Sequence, residues 1–188
     1  MTFVSARLLG HALTLAAGMR GNIGNYVQGS NSRPVESCRQ ASTTERGVGI
    51  AYTGTVENDD YRMSVKLPLG LSGWGGVDSS APFHGFVVFL DSAEHACVLL
   101  EIHLRVNDAG GPMRPEATKA VPISGARAWQ VRTVGTLNGI AMSNVRTIFT
   151  YEHGAQAYEG TLLLITPVAS ERQSARVYAS ILRSLTFE

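Results

Sequence analysis

The last third of the chain is patterned first at strand spacing and then at helix spacing. After Ser170, apolar residues recur three and four positions apart, and arginines occupy the opposite side. This spacing predicts a C-terminal amphipathic helix whose buried face comprises Tyr178, Ile181, Leu182 and Leu185. Ser170 and Gln173 have the spacing of a capping box, so we expect Ser170 to cap the helix. Because an isolated helix of this length is marginal in water, a sheet must supply its partner surface.

Three strand-like stretches precede this helix. β-branched and aromatic residues dominate residues 140–151, and residues 129–136 form a second stretch. The pair Asn138-Gly139 between them is the strongest short-range signal for a hairpin. A third stretch, residues 157–166, follows a turn at residues 152–154 and ends in a continuous apolar run, which is typical of a covered strand. We therefore predict three antiparallel strands on which the helix packs.

The order of these elements, with the segments TVGTLNGIAMSN and YASILRSLTFE, resembles the PsbP-like superfamily. That group includes the extrinsic photosystem II subunit, a Ran-binding import factor and small bacterial envelope proteins. The resemblance covers the last third of the chain and, more loosely, the hairpin before it. It implies an α+β fold, an α/β/α sandwich around one antiparallel sheet with the C-terminal helix packed on the sheet. It also implies binding or assembly roles more often than enzymatic ones.

The front half has strand spacing too. Residues 47–53 and 61–67 alternate between apolar and polar or small positions around the polar run 57–60, which predicts a hairpin. Residues 81–90 and 96–106 predict two further strands. In the second of these we expect one face to pack against a helix layer and the other to carry Cys97, Glu101 and His103.

A glycine-rich stretch, residues 69–77, separates these two pairs of strands. Its four glycines predict irregular backbone. Trp74 lies at its centre, and two interpretations stand: an aromatic loop tip that contacts a partner, or an indole that packs over the sheet. If the protein uses a definite binding patch, we predict Trp74, Phe83 and His84.

Composition and charge narrow the class of protein. With 188 residues, 44% hydrophobic and 16% charged, the chain is long enough for one full core, which we assign to residues 46–188. Sixteen basic and fifteen acidic residues leave a net charge of +1, and the basic residues are scattered. A nucleic-acid surface needs clustered cations, so we expect no nucleic-acid partner.

The N-terminus has two interpretations. Residues 1–20 resemble an export signal, with Arg7, an apolar segment and the small residues Ala16-Ala17-Gly18, or they form an N-terminal amphipathic helix. Residues 21–45 are linker-like. No stretch reaches the roughly 18 apolar residues of a transmembrane span. We expect a periplasmic or secreted protein, with a cytoplasmic one as the alternative.

The redox state of the two cysteines, Cys38 and Cys97, depends on whether the protein is exported. In an exported protein they can form a disulfide, which stabilises by about 4 kcal/mol in the chain-entropy picture. In the cytoplasm both would be reduced, and Cys97 would pack in the core.

Catalytic signatures are weak. The chain contains neither a G-x-S-x-G nor a Walker A sequence. His95 is too far along a strand from Cys97 for direct proton transfer, and Glu101, His103 and His84 fall short of a four-ligand zinc site. We predict no catalytic residues, metal or cofactor, and the alternative is a hydrolase or metal-dependent enzyme using Cys97 or the His84/Glu101/His103 group.

The function that fits these observations is non-catalytic. We predict a binding or assembly protein of the bacterial cell envelope, or of a secretion-associated system, that acts through contact with a protein partner.

Overall fold

The computed structural model describes residues 50–75, 85–90, 96–105 and 118–188. Within these ranges, eleven strands form two sheets. Ten of the strands precede a single α-helix, and the last short strand follows it. The elements are β1 (Ile50–Tyr52), β2 (Thr55–Asn58), β3 (Met63–Lys66), β4 (Gly73–Gly75), β5 (Phe86–Phe89), β6 (Cys97–Arg105), β7 (Lys119–Ala120), β8 (Arg127–Leu137), β9 (Ile140–His153), β10 (Gln156–Pro167), α1 (Glu171–Ser184) and β11 (Thr186–Phe187).

All neighbouring strands pair antiparallel. The large sheet has eight strands in the order β1-β4-β5-β6-β10-β9-β8-β7, and the small sheet has the order β11-β3-β2. The small sheet was not expected from the sequence. The described ranges contain a single α-helix, so the second helical layer of the expected α/β/α sandwich stays a prediction. That helix is too short and too polar to cross a membrane.

The last third of the chain has the predicted architecture. β8, β9 and β10 form consecutive antiparallel pairs, and α1 follows after a 3-10 turn. Asn138 and Gly139 both have positive φ, 47° and 80°, which is the backbone of the tight hairpin turn that this pair favours. Tyr178, Ile181 and Leu185 are buried, and Leu182 is partly buried against the same core. The fold prediction of an α+β protein with its C-terminal helix packed on an antiparallel sheet is confirmed.

We call the side of the large sheet that carries α1 the near face. The helix and the small sheet both pack there, and the main core lies between them and the large sheet. The opposite side is the far face. Alternation along β6 puts apolar residues on the near face and mixed residues on the far face, as predicted. The buried near-face residues of β5 and β6 are Phe86, Val88, Val98, Leu100 and Ile102.

A buried chain of hydrogen bonds joins α1 to the centre of the large sheet. The Tyr178 hydroxyl donates to the carbonyl oxygen of Leu162 at 3.0 Å and lies 2.5 Å from Thr147 Oγ1. Since the Tyr178 proton is used, Thr147 donates to Tyr178, and Thr147 in turn accepts from Gln130 Nε2 at 3.1 Å. The chain satisfies the hydroxyls of Tyr178 and Thr147, which docking the helix removes from water.

The start of α1 differs from the prediction. Ser170 is the N-cap residue, but its side chain makes no capping hydrogen bond, so the capping box is wrong. Instead, Glu171 in the first turn forms a two-pronged ion pair with Arg132 of β8, with both N–O distances 2.6 Å. A planar guanidinium matches both carboxylate oxygens at once. The start of the helix is therefore fixed by a tertiary ion pair rather than by the predicted local cap.

The predicted front hairpin is wrong in its partners. β3 pairs with β2, which includes residues predicted to form the turn. β1 belongs to the large sheet, where it pairs with β4. The turn falls at residues 59–62, where Asn58 Oδ1 accepts from the Tyr61 backbone at 3.1 Å. Polarity placed the turn near the right residues. It could not indicate which strand β1 would join.

The glycine-rich stretch is not wholly irregular either. Residues 73–75 form β4, paired with β1 on one side and β5 on the other. A Cβ on Gly73 would lie 3.3–3.4 Å from side-chain atoms of Phe86 and Leu67. The missing side chain thus leaves room on the near face for these two core residues, and tertiary pairing overrides the poor strand propensity of glycine.

Candidate functional site

Trp74 lies on the far face of β4. Its register neighbours are Ala51 of β1 and Val87 of β5, and its ring centroid is 6.0 Å from that of Phe89 at an angle of 38°. The indole is partly buried, so it is neither a fully exposed loop tip nor a fully buried part of the core. Phe83 and His84 lie outside the described residues, so the three-residue patch stays a prediction.

Beside Trp74, the far face carries an apolar cluster that is separate from the main core. Its buried members come from five different strands of the large sheet, and three partly buried residues pack against them. We call it the far-face cluster. It consists of Val87, Cys97, Leu137, Met142 and Ile165, with Phe89, Leu99 and Leu163 at its margin.

Farther along β6, the far face becomes polar. Glu101 is in register with Thr161 of β10, which is in register with Ile148 of β9 and through it with Trp129 of β8. Burial raises the pKa of the Glu101 carboxyl above its ordinary value, because the charged form loses hydrating water. This carboxyl gains a proton more readily than an exposed one and can then donate a hydrogen bond.

Arg146 of β9 is the cationic counterpart on this face. Burial lowers the pKa of its guanidinium, and the negative charge of Glu159 on β10 opposes that effect. The polar part of the far face therefore holds partly dehydrated charges of both signs. Such a surface can bind a polar partner with less desolvation cost than fully hydrated side chains would incur.

Only some residues of the alternative enzymatic groups lie in the part of the chain that the structure describes. The Cys97 side chain is 0% exposed, so its sulfur has no access to a substrate from solvent. His103 lies in register with Glu159, and His84 and His95 fall outside the described residues. In residues 50–75, 85–90, 96–105 and 118–188, no group of three or more His, Cys, Asp or Glu residues is arranged to hold a metal ion.

The predicted disulfide involves one described residue and one that is not. Within the described part of the chain no cysteine carries a free thiol, and Cys97 is the cysteine in that part. Cys38 lies outside it. The Cys38–Cys97 bond therefore stays a prediction.

A cavity of about 420 Å³ lies at the other end of the large sheet, where β8 begins beside the end of β9 and the start of β10. Arg127 and Glu152 give it a charged rim, whereas the hydroxyl of Tyr151 is used by a 2.7 Å hydrogen bond to the Tyr61 carbonyl. The sequence offered no signal for this cavity, because its walls come from three segments that only strand pairing brings together.

Comparison with known proteins identifies the fold. No family model matches the chain, and no curated protein matches it. A crystal structure of LpqN, described as involved in cell envelope biogenesis of Mycobacterium tuberculosis, is similar with a TM-score of 0.53 and 13% identity, over 77% of this chain and 95% of LpqN. A structure from Bacteroides thetaiotaomicron reaches a TM-score of 0.48 and 10% identity, over 72% of this chain and 48% of that one. The chain thus shares its fold with LpqN.

Proposed function

We propose that this chain is a non-catalytic binding or assembly protein of the bacterial cell envelope, of PsbP-like type. In this proposal residues 1–20 direct export, and residues 46–188 form the domain that contacts a protein partner. Two observations support it: the fold is shared with LpqN, which is described as involved in cell envelope biogenesis, and the N-terminal residues have the pattern of an export signal.

The observation that carries the binding role is the position of Trp74. It stands partly exposed beside Phe89 on the far face, whereas α1 and the small sheet lie on the near face. A half-buried aromatic pair loses little conformational freedom on binding and offers a large area to a partner. The contact surface in this proposal is therefore the far face around β4 and β5, including Phe83 and His84.

The second tryptophan offers a matched control. Trp129 is also partly buried on the far face, but it lies on β8, four strands away from β5 in the sheet order. Tagged wild type, Trp74→Ala and Trp129→Ala would each be expressed in the native host, cross-linked and recovered from periplasmic and membrane fractions. We expect Trp74→Ala to reduce recovery of the cross-linked partner by about tenfold, the effect of losing one aromatic contact residue. Trp129→Ala should keep it.

Melting temperatures separate contact from folding. We expect Trp74→Ala to change the melting temperature no more than Trp129→Ala does, since the two residues are similarly buried. A large drop for Trp74→Ala alone would show that the indole is part of the core, and equal loss of the partner in both variants would contradict a contact surface at β4. Recovery of the wild type from the cytoplasm alone would contradict the envelope location.

A further inference from the structure

β8 lies next to the end of the large sheet, and much of its outer edge is unpaired. On its inner side, β9 pairs with β8 along its whole length, from Arg127 to Leu137. On its outer side, β7 pairs with it at Trp129 and Gln130. In the ranges that the structure describes, no other strand pairs with β8. We call the part from Arg132 to Leu137 the open edge.

Every second residue of the open edge points its backbone groups away from the sheet. The Ala128 carbonyl accepts from the Val121 amide at 3.1 Å, so the backbone groups of Ala128 face away from β9. This direction alternates along an antiparallel ladder, so Arg132, Val134 and Thr136 face the same way. Their backbone groups bond to no other described residue. The open edge therefore offers unused donors and acceptors to an extended chain.

The open edge also lacks the features by which sheet edges avoid pairing. Its residues 133–137, Thr-Val-Gly-Thr-Leu, contain neither a charge nor a proline, which are two common protections. The Val134 side chain is 53% exposed. Two other strands at sheet edges, β1 and β2, are only three and four residues long, and β2 carries Glu57. Among these edges, the one on β8 is best suited to accept another strand.

A second copy of this chain fits the open edge. Continuing the register of β7 puts Thr118 opposite Val131, so an added strand must stop short of that point. The second copy must also keep its own hairpin turn, residues 138–139, clear of β7. A two-fold axis at Gly135 meets both conditions, because residues 133–137 of the two copies then lie opposite one another in reverse order.

The residues that this axis brings together suit one another. Val134 of each copy lies opposite Thr136 of the other, so each pair can exchange both backbone hydrogen bonds and the exposed valine is covered. Gly135 meets Gly135 at the axis, where two backbones approach to about 4.5 Å and side chains would crowd. Arg132 stays outside the paired residues and keeps its ion pair with Glu171. The contact therefore opposes no like charges.

We propose that the chain forms a symmetric dimer through the open edge, in which two copies of β8 pair antiparallel about Gly135 and join the two large sheets into one. β8 lies four strands from β5, so the contact does not involve the far face around β4 and β5. The dimer presents that face twice, once from each copy. It forms whether or not that face binds a partner.

Charge-swapped variants test the pairing. Val134→Lys/Thr136→Lys puts lysine opposite lysine in both pairs, and Val134→Glu/Thr136→Glu does the same with glutamate. Sedimentation of the whole chain should show wild type approaching twice the chain mass as concentration rises. The series has to reach about 0.5 mM, because small interfaces are weak. We expect each variant to dimerise about tenfold more weakly or worse, and an equal mixture of the two to recover the dimer.

Two controls separate this pairing from general association. Leu69→Lys removes a fully exposed apolar side chain from the loop before β4, and it should dimerise like the wild type. Amide hydrogen exchange of the wild type needs no variant. The amides of Val134 and Thr136 should exchange slowly in a concentrated sample and fast after dilution, whereas the Thr133 amide, which faces β9, should stay slow in both.

Several outcomes overturn the proposal. A wild type that keeps the mass of one chain throughout the series has no such dimer. Undiminished dimers in both charge variants, or loss of the dimer in Leu69→Lys, show that another surface associates. A mixture that does not recover the dimer, although circular dichroism shows both variants folded, contradicts the pairing of Val134 with Thr136. If a variant does not fold, exchange of these two amides that ignores concentration overturns the proposal instead.

Discussion

The two faces of the large sheet are built by the same strands but differ in what they bury. The near face packs against α1 and the small sheet, and its central polar groups, Tyr178 and Thr147, are paired in one hydrogen-bonded chain. The far face holds a smaller apolar cluster next to charged residues, among them Glu101, whose pKa is raised by burial.

This difference suggests that the near face contributes mainly to the stability of the fold and the far face mainly to binding. A face whose central polar groups are paired, like Tyr178 and Thr147 here, favours one arrangement, because breaking it exposes apolar surface and leaves donors unpaired. A face with half-buried aromatic rings and partly dehydrated charges contributes less to the free energy of unfolding. Its side chains can still form contacts with a partner. We therefore expect mutations on the near face to act mainly on folding and mutations on the far face to act mainly on binding.

The largest effect is expected from truncating the near-face core. Ile181→Ala removes a fully buried side chain between α1 and the sheet and should lower the free energy of unfolding by about 3–4 kcal/mol. Leu163→Ala removes a similar side chain from the margin of the far-face cluster, where it is only partly buried, and should cost about 1–2 kcal/mol. Urea denaturation of both variants measures the difference, and equal costs would contradict the distinction between the faces.

A smaller effect should appear at alkaline pH. Burial raises the pKa of Tyr178 to about 12 in the folded protein, whereas a tyrosine in the unfolded chain titrates near 10. The unfolded state therefore loses this proton first, so the stabilisation is complete below pH 10 and is lost as the pH rises from 10 towards 12. The loss should reach roughly 3 kcal/mol.

Tyr178→Phe is the control for this titration. It should be less stable at pH 7, because Thr147 loses its acceptor, and should show a shallower decline above pH 10. Burial raises the pKa of Tyr151 as well, so part of the decline should remain. A decline of the same steepness in wild type and variant, followed by circular dichroism, would contradict the assignment to Tyr178.

The smallest effect is expected on the far face. Because burial raises the pKa of Glu101, the folded protein favours the protonated carboxyl; wild-type stability is full below the unfolded pKa and declines as the pH rises past it. Glu101→Gln should therefore stabilise the protein at pH 7, by less than about 1 kcal/mol, and leave it unchanged at pH 3. Thermal melts at both pH values measure this, and destabilisation at pH 7 would show that the carboxylate has a favourable partner.

The elements predicted best are those with local causes. The apolar spacing of Tyr178, Ile181 and Leu185 requires a helix with one buried side, and Asn138-Gly139 suits a backbone that most residues avoid. Neither depends on distant residues. The capping box at Ser170 had an equally local rationale and was wrong: Ser170 ends a 3-10 turn, and its side chain makes no capping hydrogen bond. The first helical residue, Glu171, pairs instead with Arg132, which is distant in sequence.

The candidate site could be predicted only in part. Alternation along β6 placed Cys97 and Glu101 on one face, and composition singled out Trp74. No pattern indicated that β4 would form there, that Phe89 would pack beside the indole, or that Met142 and Leu137 would join Cys97. These contacts cross strands that are far apart in sequence.

The sequence by itself determined where the chain can be helical or extended and which side of each element is apolar, since those properties follow from neighbours within a few residues. The tertiary structure alone decided that β1 joins β4, that the small sheet forms beside α1, and which residues share the far face. Strand pairing is a non-local choice, and many pairings satisfy the same alternation, so only the packing of the whole sheet selects one.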